Sequence, residues 1–176
     1  MSIGPNSPQE QNAFSNLDQD LKRSRLLKYR NSEDEVKSYI QNILNVPEKV
    51  ILEYEKRDMD LVDMLKDGEL LCNLGSLTQI PENPCTKYKN SKMSFVQMEN
   101  ISFFLSLCHL IGVAQDEIFQ TVDLFERKDP YQVVVTIIAF SRVAHKINPL
   151  KFPIIIGPRV SKVKPSIPKK PINLRS

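Results

Sequence analysis

The strongest structural signals in this chain lie between Ser91 and Pro130, in the segment SKMSFVQMENISFFLSLCHLIGVAQDEIFQTVDLFERKDP. Ser94 and Gln97 match the S-x-x-Q capping box with which many helices begin. Apolar residues then recur at the three- and four-residue spacing of an amphipathic helix. The residues expected on its inner side are Phe95, Met98, Ile101, Phe103, Leu105, Leu107, Cys108 and Leu110. Gly112 follows as the left-handed residue that ends such a helix, so a long central helix is predicted.

The rest of the chain also shows helical signals and no convincing strand. Asp129-Pro130 supplies an N-cap and a proline at the first helical position, which predicts a last strong helix from Tyr131 to about Lys146. A basic leader helix is predicted over 16–30, and a separate helix after a second capping box at residues 32–35. Shorter helices are predicted over 60–66 and 69–79. We therefore expect an all-α body, built as a compact bundle of four main helices plus short helices.

The length and composition are those of one globular domain with tails. At 176 residues and 41% apolar content, the chain is long enough to bury a core. No run approaches about 18 apolar residues, and the N-terminus lacks the basic-then-apolar order of a secretory signal. We therefore expect a cytosolic or nuclear protein without a membrane span. The three widely spaced cysteines do not form a disulfide framework, and the two histidines lack the further ligands of a metal site.

The charge of the chain is divided unevenly. The whole sequence has a net charge of +3, yet residues 142–176 hold nine basic side chains and no acidic one. Residues 1–141 therefore hold fifteen basic and twenty-one acidic side chains, a net charge of −6. Six of the twelve prolines lie in the last 28 residues, where they favour extended backbone. A mobile basic tail is expected beyond Arg159, able to capture an acidic partner.

These patterns divide the chain into three parts. The first is a disordered N-terminal arm, residues 1–15. The second is a helical domain with its leader helix, residues 16–148, with a core at about 32–146. The third is the basic, proline-rich tail, residues 149–176, in which Phe152 and the isoleucines that follow it can pack back onto the body.

Several of these segments resemble the calponin homology domain, in the single-domain form found in the transgelin and calponin family. SKMSFVQMENISFFL is similar to the family's signature around its central helix, EIFQTVDLFERKD to a second signature, and MLKDGELLCNLGSL to its L-K-D-G helix start. LDQDLKRSRLLKY and FPIIIGP resemble the leader and the F-P segment of fungal transgelin-like proteins. The resemblance covers residues 17–160. It departs at Tyr39, where many such domains carry a tryptophan that this chain lacks.

The resemblance implies a single calponin homology domain without enzymatic activity or cofactor, with filamentous actin as its partner. The expected function is to bind, crosslink and stabilise actin filaments in the cytoplasm, at cortical patches, cables or a contractile ring. The helical body and the basic tail would each supply a contact, because a monomer bundles filaments only with two separable contacts or by dimerising. The candidate actin-binding residues are Lys22, Arg23, Arg25, Lys28, Arg142, Lys146, Lys151, Arg159, Lys162, Lys164, Lys169 and Lys170.

Another class of partner remains open at this stage. The segment Pro165–Lys170 matches the P-x-x-P-x-basic ligand of an SH3 domain, so a signalling or scaffold module with little direct actin binding is the alternative. Nucleic acid is not favoured, because the acidic body offers no obvious stacking platform.

Two acidic patterns have simpler interpretations than a functional site. Asp58 and Asp60 begin a calcium-loop-like spacing, but Asp63 stands where the loop requires glycine, so a solvated acidic surface is expected. Asp123 and Glu126 are spaced like a catalytic pair but have no accompanying histidine or nucleophile. They are expected to cap helices and to form ion pairs with the neighbouring Arg127 and Lys128.

Overall fold

The computed structural model describes residues 8–158, and in this part of the chain all regular structure is helical. Its α-helices are α1 (Pro8–Leu44), α2 (Glu48–Lys56), α3 (Leu61–Leu65), α4 (Glu69–Ser76), α5 (Ser94–Ile111), α6 (Thr121–Phe125) and α7 (Pro130–Ile147). Single turns of 3₁₀ helix lie at Pro84–Lys87 and Gln115–Glu117. Helices α1, α4, α5 and α7 enclose the core, and the shorter helices connect them. The prediction of an all-α bundle is confirmed.

The first helix is continuous, whereas two helices separated near Ser32 were predicted. Helix α1 runs for 37 residues and starts at Pro8, inside the segment expected to be a disordered arm. Ser32–Glu35 resembles a capping box, but neither glycine nor proline interrupts the helix there. Tyr29 and Val36 lie on one buried face with Tyr39 and Ile40, which belong to the second predicted helix. Because this face is continuous across the predicted break, packing holds the two halves as one helix.

The central helix α5 begins and packs differently from the prediction. Its N-cap is Met93, Ser94 is its first residue, and no side chain caps its first turn, so the predicted capping box is wrong. Phe95 and Leu110 were expected inside but are 69% and 59% exposed. Phe104, which was not among the residues predicted on the inner side, is fully buried.

The predicted C-terminus of α5 and the predicted N-terminus of α7 are confirmed. Gly112 has a φ of 89°, and the amide of Val113 donates to the carbonyl of Cys108 at 2.9 Å, as in a Schellman motif. Asp129 caps α7 by accepting from the amide of Gln132 at 3.2 Å, with Pro130 in the first turn. Helix α2 was not predicted, because it is short and buries no side chain completely.

Three phenylalanines form the centre of the core. The rings of Phe104 and Phe140 have centroids 5.3 Å apart, and those of Phe140 and Phe152 are 5.6 Å apart in an edge-to-face arrangement. Phe152 and Ile156 are buried, so the segment up to Gly157 packs on the body as expected, although Ile154 and Ile155 are half-exposed.

Asn100 is the main polar residue inside the domain. It is 1% exposed and joins three segments. Its amide nitrogen donates to the carbonyls of Asp67 at 3.0 Å and Lys89 at 2.8 Å, and its oxygen accepts from the amide of Lys89 at 3.0 Å. The role of Asn100 could not be predicted, since a lone asparagine in an apolar helix belongs to no recognisable sequence motif.

Tyr39 is buried on α1, as expected for a residue in place of the missing tryptophan. It is 3% exposed, and its hydroxyl has no hydrogen-bond partner within the described residues. Burial raises the pKa of this hydroxyl above its ordinary value. The site therefore contains an aromatic ring that packs well and a polar atom that does not.

Candidate functional site

The basic residues predicted on the leader helix are exposed, with one exception. Lys22, Arg23 and Lys28 are exposed on α1. Arg25 is partly buried and forms an ion pair with Asp129 at 2.7 Å. It also donates to the side chain of Gln132 at 3.1 Å. Arg25 therefore attaches the leader to the start of α7, and its charge is already neutralised within the protein.

An aromatic side chain completes this junction. The guanidinium carbon of Arg25 lies 5.1 Å from the centroid of the Tyr131 ring, and the ammonium nitrogen of Lys28 lies 5.8 Å from it. Both distances are within the range of cation–π attraction. We call the exposed cations Lys22, Arg23 and Lys28 the leader surface.

A second cationic surface lies near the other end of α7. Lys146 and Lys151 are exposed, and neither forms an ion pair within residues 8–158. Arg142 is paired with Glu117 at 2.6 Å and fixes α7 to the turn Gln115–Glu117. We call Lys146 and Lys151 the α7 surface. The charge of Arg142, like that of Arg25, is paired with a carboxylate of the same chain.

The structure does not bring the two surfaces together. Lys28 contacts Tyr131 at the start of α7, whereas Lys146 lies fifteen residues further along that helix. At 1.5 Å per residue the two positions are about 22 Å apart along the axis. The domain therefore offers two separated cationic contacts rather than one patch.

The last described residues of the chain are fixed between these surfaces. The amide of Gly157 donates to a carboxylate oxygen of Glu35 on α1 at 3.2 Å. Gly157 has a φ of 89°, and a Cβ there would lie 2.5 Å from Cγ2 of Ile138 on α7. Arg159, Lys162, Lys164, Lys169 and Lys170, and the predicted SH3 ligand Pro165–Lys170, lie outside the described residues.

A groove of about 740 Å³ opens between α1 and the segment 123–131. Lys22, Leu26, Tyr29 and Arg30 line it from α1, and Lys128 and Tyr131 line it from the opposite side. We call it the Tyr29 groove. Tyr29 itself is 3% exposed, and burial is the main cause that raises the pKa of its hydroxyl. No local sequence signal predicted this groove, because its two walls are about a hundred residues apart in the chain.

The acidic residues near α3 serve the fold. Arg127 forms ion pairs with Asp60 and Asp63, the latter at 2.9 Å. Burial alone would raise the pKa of Asp60, but the hydrogen bond from Arg127, with further backbone and charge effects, lowers it below its ordinary value. Arg127 was expected to pair with Asp123 or Glu126. Asp123 instead caps α6, where it accepts from the amide of Gln120 at 2.7 Å.

Cys72, Cys85 and Cys108 are buried free thiols. Hydrogen bonding with Cys72, followed by burial, raises the pKa of the Cys85 thiol, and burial raises that of Cys108. Such thiols are poor nucleophiles at neutral pH.

Residues 8–158 hold no group of three or more His, Cys, Asp or Glu side chains placed to bind a metal ion. The same residues include no helix long and apolar enough to cross a bilayer.

Comparison with known families defines the class of the fold. The family model described as "Calponin homology (CH) domain" matches residues 30–146, which is more than half of the chain. The match covers the helical body from the end of the leader surface to Lys146. The chain belongs to the calponin homology domain family.

The chain is also similar over most of its length to particular members of that family. Over 159 residues it is 40% identical to a protein named transgelin from Saccharomyces cerevisiae, covering 89% of this chain and 76% of that protein. It is 40% identical over 110 residues to a transgelin from Schizosaccharomyces pombe, covering 62% of this chain and 61% of the relative. Muscle-specific protein 20 of Drosophila melanogaster is 37% identical over 112 residues, covering 64% of this chain and 59% of the relative. These similarities place it among the transgelin and calponin proteins, which are not enzymes.

Proposed function

We propose that this protein binds actin filaments and crosslinks them into bundles. The proposal is supported by the similarity to transgelins and by one structural observation, the exposed cations of the leader and α7 surfaces, which are unpaired within the described residues and supply the body's contact with a filament. Actin filaments are acidic polymers, so exposed lysines and arginines are the side chains suited to contact them. The proposed location is the actin cytoskeleton of the cytoplasm, at cortical patches, cables or a contractile ring.

The tail supplies a further contact in this proposal. Residues 159–176 include six basic side chains and no acidic one, and they follow directly on Gly157, which lies beside Glu35 and Ile138. One molecule then engages one filament through the cationic surfaces of its body and a second filament through the tail. Dimerisation is not required for bundling under this arrangement.

Co-sedimentation with filamentous actin over a salt series tests filament binding. We expect the full-length chain to pellet with filaments at low salt and to be released as salt rises, because exposed charges are screened over about 8–10 Å near physiological ionic strength. A triple variant, Lys22→Ala with Arg23→Ala and Lys28→Ala, is expected to bind several-fold more weakly. The matched control is Lys49→Ala with Lys56→Ala, which removes exposed lysines from α2. A chain that stays in the supernatant at low salt would refute filament binding.

A low-speed pelleting assay tests the division of labour between body and tail. Deleting residues 160–176 is expected to reduce bundling more than it reduces single-filament binding. The circular dichroism spectrum and unfolding midpoint are expected to be unchanged, because the deletion leaves all buried residues of the described part of the chain in place, including Phe152 and Ile156. Undiminished bundling by the shortened chain would contradict the role of the tail.

A further inference from the structure

We propose that the Tyr29 groove is a docking site for an acidic peptide segment that carries an apolar anchor side chain. The inference does not depend on actin binding, because it is tested in a different assay and with variants of Leu26 and Arg30, which lie outside the leader surface; Lys22 alone belongs to both the groove and that surface. It rests on which charges around the groove are already used inside the protein.

Every acidic side chain that lines the groove has an internal partner. Asp129 is held by Arg25, and Asp60 by Arg127. Asp123 caps α6. Glu33 pairs with Lys37 at 2.9 Å and accepts from the amide of Leu61 at 2.9 Å. These carboxylates are therefore not available to repel an acidic ligand at full strength.

Five basic side chains line the groove, and only two of them form ion pairs with its carboxylates. Arg25 forms an ion pair with Asp129, and Arg127 forms one with Asp60. Lys22, Arg30 and Lys128 line the same groove and form no ion pair within the described part of the chain. The groove is lined by five basic and four acidic side chains, so its lining is net positive, and Lys22, Arg30 and Lys128 remain available to pair with an acidic ligand.

The shape of the groove favours a peptide over a single phosphate group. Lys22 and Arg30 are eight residues apart on α1, which is about 12 Å along the axis, and Lys128 lies on the opposite wall. Such spread charges do not converge on one small anion. Between them lie Leu26, which is 45% exposed, and the ring of Tyr131. A volume of about 740 Å³ accommodates an anchor side chain and its neighbours.

Fluorescence polarisation with defined peptides tests the proposal. The probe is a labelled peptide of about twelve residues in which leucine and glutamate recur at helical spacing. Its comparison peptide carries lysine in place of every glutamate. We expect the acidic probe alone to bind, with an affinity that falls as salt rises. Equal binding of both peptides would overturn the proposal, as would no binding of the acidic probe.

Adjacent residues on α1 provide matched variants. Leu26→Ser removes a side chain from the groove and is expected to weaken probe binding about tenfold, the cost of leaving a leucine-sized contact unmade. Leu27→Ser changes the neighbouring leucine, which is 60% exposed and does not line the groove, and should leave affinity unchanged. Arg30→Glu should likewise weaken binding, whereas Arg23→Glu should have little effect. Equal losses within either pair would overturn the proposal.

Two further measurements separate this site from other anionic partners. Vesicles containing phosphatidylserine should bind the Arg30→Glu variant and the unchanged protein alike; selective loss with Arg30→Glu would assign the groove to a lipid surface and overturn the proposal. Filament co-sedimentation of Leu26→Ser should equal that of the unchanged protein. A loss there would assign the groove to the filament contact instead.

Discussion

The guanidinium of Arg25 and the carboxylate of Asp129 form a 2.7 Å ion pair that connects the leader part of α1 to the N-cap of α7. The two residues are 104 positions apart. Asp129 thus has two roles, since it also accepts from the amide of Gln132 and caps α7. This contact adds to the packing of α1 in holding the leader part of the helix against the domain.

Replacement of Arg25 is expected to loosen the leader. Arg25→Ala removes the ion pair, the hydrogen bond to Gln132 and the cation–π contact with Tyr131. Because these groups are partly exposed, the expected loss is only about 1 kcal/mol of unfolding free energy in urea titration. Arg23→Ala, two residues away and exposed, serves as the control and should change stability little. Faster amide exchange over residues 16–24 in Arg25→Ala alone is also expected.

Loss of the Asn100 side chain is expected to destabilise the domain strongly. Asn100→Ala breaks three hydrogen bonds and leaves the backbone groups of Asp67 and Lys89 without their partner. The expected cost is about 2–4 kcal/mol, measured by chemical denaturation. Asn90→Ala removes one exposed 3.3 Å contact with Glu69 and should cost less than about 0.5 kcal/mol. Similar values for the two variants would contradict the role assigned to Asn100.

Two glycines with positive φ allow strain to be separated from packing. Gly112 has a φ of 89° with open space where a Cβ would lie, so Gly112→Ala should cost only the left-handed strain of about 1–2 kcal/mol. Gly68 has a φ of 74°, and its Cβ would lie 2.7 Å from both the Asn100 Cβ and the Ile101 nitrogen. Gly68→Ala should therefore cost about 3 kcal/mol or more. Equal thermal stability of the two variants would show that α4 can move away from α5.

Removal of the Tyr39 hydroxyl is expected to be tolerated. Tyr39→Phe keeps the buried ring and deletes an oxygen that has no partner within residues 8–158, so stability should be unchanged or rise by up to about 1 kcal/mol. Tyr39→Ala, which removes the ring as well, should cost about 3–5 kcal/mol. A marked loss of stability in Tyr39→Phe would mean that the hydroxyl is satisfied in solution.

The Asp60–Arg127 contact is expected to make stability depend on pH in the acid range. Since its folded-state pKa lies below the ordinary value of 3.8, the Asp60 carboxylate contributes stability above that value and loses it as pH falls through the lower, folded pKa. Asp60→Asn keeps a capping side chain but loses the charge, at a cost of about 0.5–1 kcal/mol at neutral pH. The difference between Asp60→Asn and the unchanged protein should therefore shrink below pH 3.8 in urea titrations. At neutral pH the control Asp58→Asn, which removes a carboxylate without an ion pair in residues 8–158, should cost less than Asp60→Asn.

Several local features could be predicted from sequence because their causes are local. Gly112 ends α5 since only a residue tolerant of positive φ fits there, and Asp129-Pro130 starts α7 through the amide groups of the same turn. The burial of Phe152 was also predicted, because Phe152 and the isoleucines that follow it form an apolar run at the start of the proline-rich segment. The all-α fold needed nothing beyond these repeated local signals.

The predictions of the inner side of α5 and of its capping box failed for a common physical reason. Phe95 and Phe104 are both phenylalanines on the same helix, and only the neighbouring helices decide that Phe104 is buried while Phe95 remains in solvent. Ser94 matches a capping box, but the chain enters α5 from a direction that makes Met93 the N-cap. Periodicity identifies a helix well and its buried side less well, since the partner of that side is distant in sequence.

The sequence by itself determined a helical domain of this family, a cationic leader and a basic end, because composition, spacing and caps act within a few residues. Only the tertiary structure decided which cations remain available. Arg25 and Arg142 resemble their neighbours in the sequence, yet Asp129 and Glu117 neutralise them while Lys28 and Lys146 stay exposed. Such pairing depends on distances of a few ångströms between residues far apart in the chain, and these distances exist only after folding.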